Sequence, residues 1–248
     1  MKFGRKVYSF KKVTSTMDIA KKLAGKGEPE GSVVIAERQV SGRGRFQRKW
    51  SSPTGGIYFS LILRPTIPPL EMGKINLLAA VSLAETMREL YALPTKIKWP
   101  NDVLVRGKKI SGILTEMNTK VDKVNWVILG IGINANFEVK KLGKTMIPST
   151  SLKEELKRRI FLKELLQRLL GRLERNYLKL KKEGFGWLLE RWRTFSDTLG
   201  RKVKVQTSEG IFWGEALDID SNGALVLRLA NGKKKKIFAG DCYHLRRK

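Results

Sequence analysis

Apolar positions change period repeatedly along the chain, and each change marks an element. Tyr8 to Val13 alternates as a short strand, and Thr14-Ser15-Thr16 then offers hydroxyl N-caps to a helix. That helix carries Ile19, Ala20 and Leu23 on its apolar face and ends at Gly25. Val33-Val34-Ile35-Ala36 and the nearly continuous run from Ile57 to Leu63 read as buried strands. Helical spacing of Ile75, Leu78, Ala79, Ser82, Leu83, Met87 and Leu90 predicts a helix over about 74–91 with one buried face. Strand-like residues flank Pro100-Asn101-Asp102, Arg106-Gly107-Lys108-Lys109 is a hairpin turn into Ile110–Glu116, and Val124 to Ile133 is another buried strand. The capping box Ser151-Leu152-Lys153-Glu154 is expected to open one long amphipathic helix. Its face is Leu156, Ile160, Leu166, Leu169, Leu173 and Tyr177, it stops before Gly184, and a short helix with Trp187, Leu188 and Trp192 follows.

From about residue 196 the pattern shifts to short strands: Val203-Lys204-Val205, Ile211-Phe212-Trp213, Ala216-Leu217, Ala224 to Leu227 and Ile237-Phe238. Turns at Ser208-Glu209-Gly210, Ser221-Asn222-Gly223 and Asn231-Gly232 separate them. This predicts a small SH3-like β-barrel behind a larger domain of mixed helices and strands. The fold class is therefore α+β, with residues 1–195 as one domain and 196–248 as the second.

Composition narrows the class. The chain has 248 residues, 42% hydrophobic and 29% charged, which suits a globular protein with a sizeable core. No apolar run nears the ~20 residues of a membrane span, and the N-terminus has no signal-peptide core, so cytoplasm is the expected compartment. The single cysteine, Cys242, excludes an internal disulfide. Fifty Lys and Arg against 23 Asp and Glu leave a net charge of +27, which attracts polyanions and acidic protein surfaces. Only Lys233–Lys236 and Arg246–Lys248 form dense runs, read as a solvated hairpin tip and a tail.

The stretch richest in chemistry is Ser41-Gly42-Arg43-Gly44-Arg45-Phe46-Gln47-Arg48-Lys49-Trp50. Gly42 and Gly44 allow positive φ and close approach to a ligand, and the arginines supply planar forks for carboxylate or phosphate. It lies between two buried strands, the position of a functional loop on a rigid frame. Other positions keep two readings. Ser15 and Thr16 cap a helix or form an anion site at its N-terminus. Asp102 belongs to a tight exposed turn or to a site, and Lys109 is a solvated turn lysine or a ligand-facing one. Gly130 and Gly132 signal close approach to a neighbouring strand or to a flat ligand.

Several chemistries are excluded. Gln47 occupies the third glycine position of a dinucleotide fingerprint. Gly143-Lys144-Thr145 ends like a P-loop, but Glu138 stands where the first glycine is required. His244, the only histidine, is remote in sequence from any candidate serine, and with Cys242 alone it makes no structural zinc site. What remains is positioning and charge stabilisation, as in acyl or phosphoryl transfer.

Taken in order, the motifs resemble those of the biotin protein ligases. Residues 42–50 look like that family's GRGRxGRxW loop, Lys98-Trp99-Pro100-Asn101-Asp102 its KWPND motif, Lys109-Ile110-Ser111-Gly112-Ile113 its K-(L/V/I)-(A/S)-G-I strand, and Gly130-Ile131-Gly132-Ile133-Asn134 its G-(I/A)-G-I-N segment. Ser15-Thr16 match the Ser-Thr of its first motif. The resemblance implies a catalytic domain of the class II aminoacyl-tRNA synthetase and biotin ligase type. It further implies that biotin and ATP form biotinyl-5′-AMP with Mg²⁺ assisting, and that a lysine amine of a biotin carboxyl carrier domain then takes the biotinyl group. By residue matching, Ser15, Thr16, Met17 and Gln39 belong to the biotin end, with Gly42, Gly44 and Gly112 along the binding surface. Arg43, Arg45 and Lys109 meet the carboxylate and phosphate, with Arg45 and Lys109 the catalytic pair. Asn101, Asp102 and Asn134 fall on the nucleotide side, and Trp50 packs the closed loop.

Two positions depart from the pattern: Met17 stands where many relatives have Asn, and Gln47 replaces a usual glycine. Fourteen residues before Ser15 are too few for the winged-helix domain of repressor-type relatives, so sequence-specific DNA binding is not expected. A homodimer is left open. Two rivals stand beside this reading: a lipoyl or octanoyl transferase, and a nucleic-acid-binding module using the +27 charge.

Overall fold

The computed structural model describes every residue except 1, 121, 122, 144, 146 and 246–248. Lys144 of the P-loop-like run and the tail Arg246–Lys248 therefore lie outside the described residues. The first element, β1 (Val7–Val13), is mostly exposed and pairs parallel with β2 (Val33–Gln39) after helix α1 (Thr16–Gly25). β3 (Ile57–Leu63), α2 (Gly73–Tyr91), β4 (Thr95–Lys98), β5 (Asp102–Val105), β6 (Lys108–Lys120) and β7 (Lys123–Ile133) follow. They build a seven-stranded mixed sheet in the order β1-β2-β3-β7-β6-β5-β4, antiparallel apart from the β1–β2 pair.

All seven residues of β3 are buried because helices cover both faces of the sheet. On one face Phe59, Leu61, Leu129, Ile131 and Ile113 pack with α2, α4 (Leu162–Glu183) and α5 (Gly186–Phe195) in the main core. On the other, Val34, Ile62 and Ile128 meet Met17, Ala20 and Ala24 of α1. That second face changes character beyond Ile62 and Ile128. The register aligns Ser60 with Gly130, and Gly112 with Gly132, leaving small residues on the sheet beside the start of α1.

The single long helix expected after Ser151 is two. A short α3 (Leu152–Leu156) ends at Lys157, whose φ of +57° is left-handed, and α4 begins only at Leu162. The physical reason is Asn136, whose Oδ1 accepts from the Ile160 N–H (2.9 Å) and whose Nδ2 donates to the Ile160 carbonyl (2.8 Å). These bonds take both backbone groups out of a helical ladder. The capping box is half formed: Ser151 Oγ accepts from Glu154 N, while Glu154 reaches the Val139 N–H instead.

The remaining strands, β8 (Lys202–Thr207), β9 (Gly210–Ile219), β10 (Leu225–Leu229), β11 (Lys234–Ile237) and β12 (Asp241–His244), form an antiparallel sheet in the order β11-β10-β9-β8-β12. It is the expected SH3-like unit, with Ile211–Trp213 and Ala216-Leu217 joined in one strand. Lys234–Lys236 lie in β11, so that run is an edge strand and not a hairpin tip. Trp99 ties the two parts together: its backbone N–H donates to Thr198 Oγ1 (3.0 Å) and its indole N–H to the Gly223 carbonyl (3.3 Å). His244 is spatially close to a hydroxyl after all, with Nε2 3.1 Å from Thr198 Oγ1 and Nδ1 3.4 Å from Asp197. Thr198 is fully buried and already held by Trp99, so this trio joins elements and presents no nucleophile.

Candidate active site

The loop after β2 folds as a miniature hairpin. Gly42 O accepts from Trp50 N (2.8 Å), Gly44 N donates to Arg48 O (2.7 Å), and Arg48 N closes the tip on Arg45 O (3.1 Å). Positive φ falls on Phe46 (+52°) and Gln47 (+57°), not on Gly42 or Gly44 as expected. Those two angles match the twist of a tight hairpin turn, where the second position favours glycine. Gln47, standing where the motif has glycine, takes the left-handed conformation regardless. Gly42 is required for space: a Cβ there would meet the Trp50 carbonyl at 2.6 Å and Gln39 Nε2 at 2.9 Å.

Inside the hairpin, the Trp50 indole lies flat on the sheet. A Cβ on Gly132 would stand 2.5 Å from the ring, and one on Gly112 2.8 Å. Gly130 makes equal room for the Met17 sulfur. The flat group these glycines receive is therefore a side chain of the chain itself, and Lys109 Nζ sits 5.3 Å above the same indole.

Trp50, Met17 and the hairpin wall a cavity of about 470 Å³, within the usual range for a small-molecule site. Thr16, Met17, Gln39, Arg43, Gly44, Arg45, Trp50, Asn101, Asp102, Lys109, Gly112 and Asn134 all line it; Ser15 and Gly42 do not. Ser15 is nonetheless informative. It starts α1, yet its side chain makes no capping bond, and its buried Oγ has no partner among the described residues. Thr16 takes over, with its N–H and Oγ1 donating to Gln39 Oε1 (2.9 and 3.1 Å) while Ser60 Oγ donates to Thr16 Oγ1. Ser52 accepts from Gln39 Nε2 and fixes the amide's orientation.

Beside Gly112, Asn101 and Asp102 follow β4 and a cis Trp99–Pro100 peptide. Asn101 is locked, with Nδ2 donating to Ile113 O (2.7 Å). Asp102 Oδ1 lies 2.5 Å from Lys109 Nζ. Lys109 belongs to strand β6, so it is no solvated turn lysine, and the turn itself is Arg106-Gly107 with both φ positive. Asn134 is buried with Nδ2 on Thr150 O, while its Oδ1 lacks a partner among the described residues. Buried polar atoms are nearly always hydrogen-bonded, so the unpartnered Asn134 Oδ1 is an acceptor left available at the cavity wall.

The cations are placed unequally. Arg43 Nη2 is 2.6 Å from Asp18 and 3.5 Å from Glu116, so its charge is largely spent within the protein. Arg45 donates to the Gly240 carbonyl (2.9 Å), and burial pulls its pKa below the ordinary value, partly offset by Asp241 and Asp102. It stays charged and is poorly hydrated, which strengthens any contact with an anion. Arg48 pairs with Asp241, and that hydrogen bond raises its pKa.

Sequence reasoning missed the cavity wall supplied by the second unit: Asp241, Cys242 and Tyr243 line it, with the Cys242 thiol pushed up to about 12 by burial. It also missed Leu142, Thr145, Ile147 and Ser149, which line the cavity as well. No periodic signal marks these positions. Among the described residues no three His, Cys, Asp or Glu side chains gather as a metal site, and no helix is long and apolar enough to cross a membrane.

The chain is similar to known proteins along most of its length. The biotin/lipoate A/B protein ligase family matches residues 9–134, and the biotin protein ligase C-terminal domain matches 198–245. A Bacillus subtilis protein named bifunctional ligase/repressor BirA is 38% identical over 231 residues, 92% of this chain and 71% of the relative. The biotin–[acetyl-CoA-carboxylase] ligase of Mycobacterium tuberculosis is 31% identical over 94% of this chain and 86% of its own. The Aquifex aeolicus biotin protein ligase in complex with biotin and ATP superposes with a TM-score of 0.80 at 30% identity, covering 98% of this chain and all of that one.

Proposed function

Because the chain belongs to the biotin/lipoate A/B protein ligase family, we propose that it is a biotin–protein ligase acting on a carrier domain of a biotin-dependent carboxylase. The observation that carries this reading is the shared cavity. It brings the apolar side chains of Met17 and Trp50, the cations of Arg45 and Lys109, and the amides of Asn101 and Asn134 into one lining. That set of groups suits the apolar rings of biotin, the anionic junction and a nucleotide.

In the first step a carboxylate oxygen of biotin attacks the α-phosphorus of ATP. The bond to the β-phosphate bridge breaks, and pyrophosphate leaves with its electron pair. Two anions must approach, and Arg45 and Lys109 screen their repulsion in a water-poor site. Asp102 holds Lys109 in place, and substrate phosphate competes for its ammonium. Ser15 Oγ and Gln39 contribute at the biotin end, and Arg43 orders the loop through Asp18 and Glu116. Mg²⁺ is assigned to the substrate: it comes with the ATP phosphates and needs only one or two carboxylates. Asp102 and Asp241 are the carboxylates lining the cavity, each already paired with a cation.

In the second step a neutral lysine amine of the carrier attacks the acyl carbon. The acyl–phosphate oxygen bond breaks, AMP leaves, and the amine's proton passes to solvent as the amide forms. The mixed anhydride must be kept from water in between, which is the work of the hairpin and of Trp50. We assign the chemistry to residues 1–195 and the anchoring of the hairpin to 196–248.

Biotin and lipoate compete as readings within the family. The purified chain, ATP and an acetyl-CoA carboxylase carrier domain should give biotinylated carrier from biotin and none from lipoate. Labelling from lipoate alone would overturn the assignment.

A further inference from the structure

The helices on the main-core face of the sheet, away from α1, enclose a second, smaller cavity of about 160 Å³ between α2 and α4. Arg168, Arg172 and Arg175 of α4 line it, together with Gly171 and with Glu89 of α2. Spacings of four and three residues put the three arginines on one face of α4, over about 10 Å of helix axis. Arg172 is tied down: its guanidinium meets Glu89, and Nη1 lies 3.3 Å from Glu85. Glu85 is shared with Arg191, whose Nε is 2.6 Å away, so only part of its charge answers Arg172. Arg172 Nε is buried and lacks a partner among the described residues. Arg168 and Arg175 are exposed, with neither a carboxylate nor a hydrogen-bond partner among the described residues. Three guanidiniums thus face a lining in which Glu89 is the one carboxylate among the described residues.

Packing α2 on α4 does not call for this arrangement. Like charges three and four residues apart repel along a helix, and a glycine in a helix interior is destabilising relative to alanine. Gly171 is nevertheless buried in the middle of α4, and the Cβ it lacks leaves the cavity floor open. A bound anion accounts for both features: it screens the arginines from one another, and their planar forks match phosphate oxygens. We propose that the α2–α4 cavity is a binding site for a compact phosphate-bearing anion, separate from the cavity assigned to adenylation. Volume sets the class of ligand. Sites for whole small molecules run to about 300–1,000 Å³, so this one takes a phosphate group and leaves no room for a nucleoside. Arg168 and Arg175 reach toward the Arg172 guanidinium from one turn away on either side, and the anion competes with Glu89 for it. A single-stranded nucleic acid laying its backbone along the arginine stripe is the competing occupant.

The test titrates the purified protein with inorganic phosphate and, separately, with glycerol phosphate in a calorimeter. Wild type is compared with a double variant, Arg168→Gln with Arg175→Gln, and with Gly171→Ala. Both arginines are exposed and unpaired, and thermal melting checks that each variant folds. Melting temperature is not the readout, because phosphate stabilises folded proteins in general through its exclusion from their surfaces. Expected is saturable binding to wild type that weakens at least tenfold in the double variant, with biotin-dependent ATP–pyrophosphate exchange within twofold of wild type. Gly171→Ala, which narrows the floor at unchanged charge, should weaken binding as well. The tighter of the two ligands identifies the occupant as free phosphate or as a phosphate ester. Equal affinity in wild type and the folded double variant would overturn the proposal and place the anion elsewhere on the chain. Weakening by the charge change with none from Gly171→Ala would overturn it in favour of a diffuse basic surface. Oligonucleotide binding that the double variant loses, with neither small ligand bound by wild type, would overturn it in favour of nucleic acid.

Discussion

Arg48 at the hairpin tip is held by Asp241 of β12, 193 residues away, with Nη1 donating to Oδ1 at 3.1 Å and Nη2 closing a second contact on Oδ2. Arg45 adds a bond to the Gly240 carbonyl next door. The loop that covers the cavity is therefore fastened to the small antiparallel unit, and closure depends on both parts of the chain. Bidentate pairing of this kind is stronger than a single surface ion pair, whose typical worth is about 0–1 kcal/mol.

Asp241→Asn should weaken that fastening while leaving Arg45 in place. Release of the labelled adenylate from the enzyme, followed by rapid filtration, should be about tenfold faster, equivalent to about 1.4 kcal/mol. Rising salt should accelerate wild-type release more than that of the variant. Equal release rates at low salt would mean that the hairpin closes without the pair.

Gln47 holds a φ of +57° that glycine adopts without cost and that other residues adopt at about 1–2 kcal/mol. Gln47→Gly should maintain or raise the rate of adenylate formation. Gln47→Val, β-branched in a left-handed position, should lower it by about tenfold at an unchanged melting temperature. Equal rates for the two variants would show that this turn is absent from the working enzyme.

Gly132 and Trp50 should be coupled. An alanine Cβ at 132 cannot coexist with the indole 2.5 Å away, so the ring must move. Since a shift of about 1 Å at a site can cost about 10²-fold, Gly132→Ala should lower kcat/KM for adenylation by that order. In a Trp50→Ala background the same change should cost far less, and a double-mutant cycle measures the difference. Additive effects would contradict the packing described.

Asp197 gives a pH dependence. Burial alone would raise its pKa, but hydrogen bonds from His244 and Arg201 outweigh this and hold it below the usual 3.8. Its stabilising contribution is thus present above about pH 4 and lost as pH falls through the depressed folded-state value. Asp197→Asn should unfold at lower urea than wild type at about pH 6, with the gap closing below about pH 3. A gap that persists in acid would show that the carboxylate's charge is not what matters.

Motif residues were legible because their signals are local. The run 42–50, Lys98–Asp102 and Gly130–Asn134 each carry their spacing in a few consecutive positions, and the fold brings them to one cavity. The helix break was hidden: Lys157 is neither Gly nor Pro, and the bonds that end α3 come from Asn136, outside the segment. Ser15 read equally well as a cap, and only its missing bond and buried oxygen separate the two meanings. Asp241 and Tyr243 gave no signal as site residues, since their place is set by pairing across nearly the whole chain.

Arg45 and Lys109 are the side chains assigned to bring a carboxylate and ATP together. Biotin-dependent exchange of labelled pyrophosphate into ATP measures that step without any acceptor. Wild type should exchange only when biotin is present, and Lys109→Ala and Arg45→Ala should each lose about 10²-fold or more. Their melting temperatures should fall by no more than about 4 °C per kcal/mol of lost ion pairing. Exchange that is absent in wild type, independent of biotin, or unaffected by both substitutions would contradict that assignment.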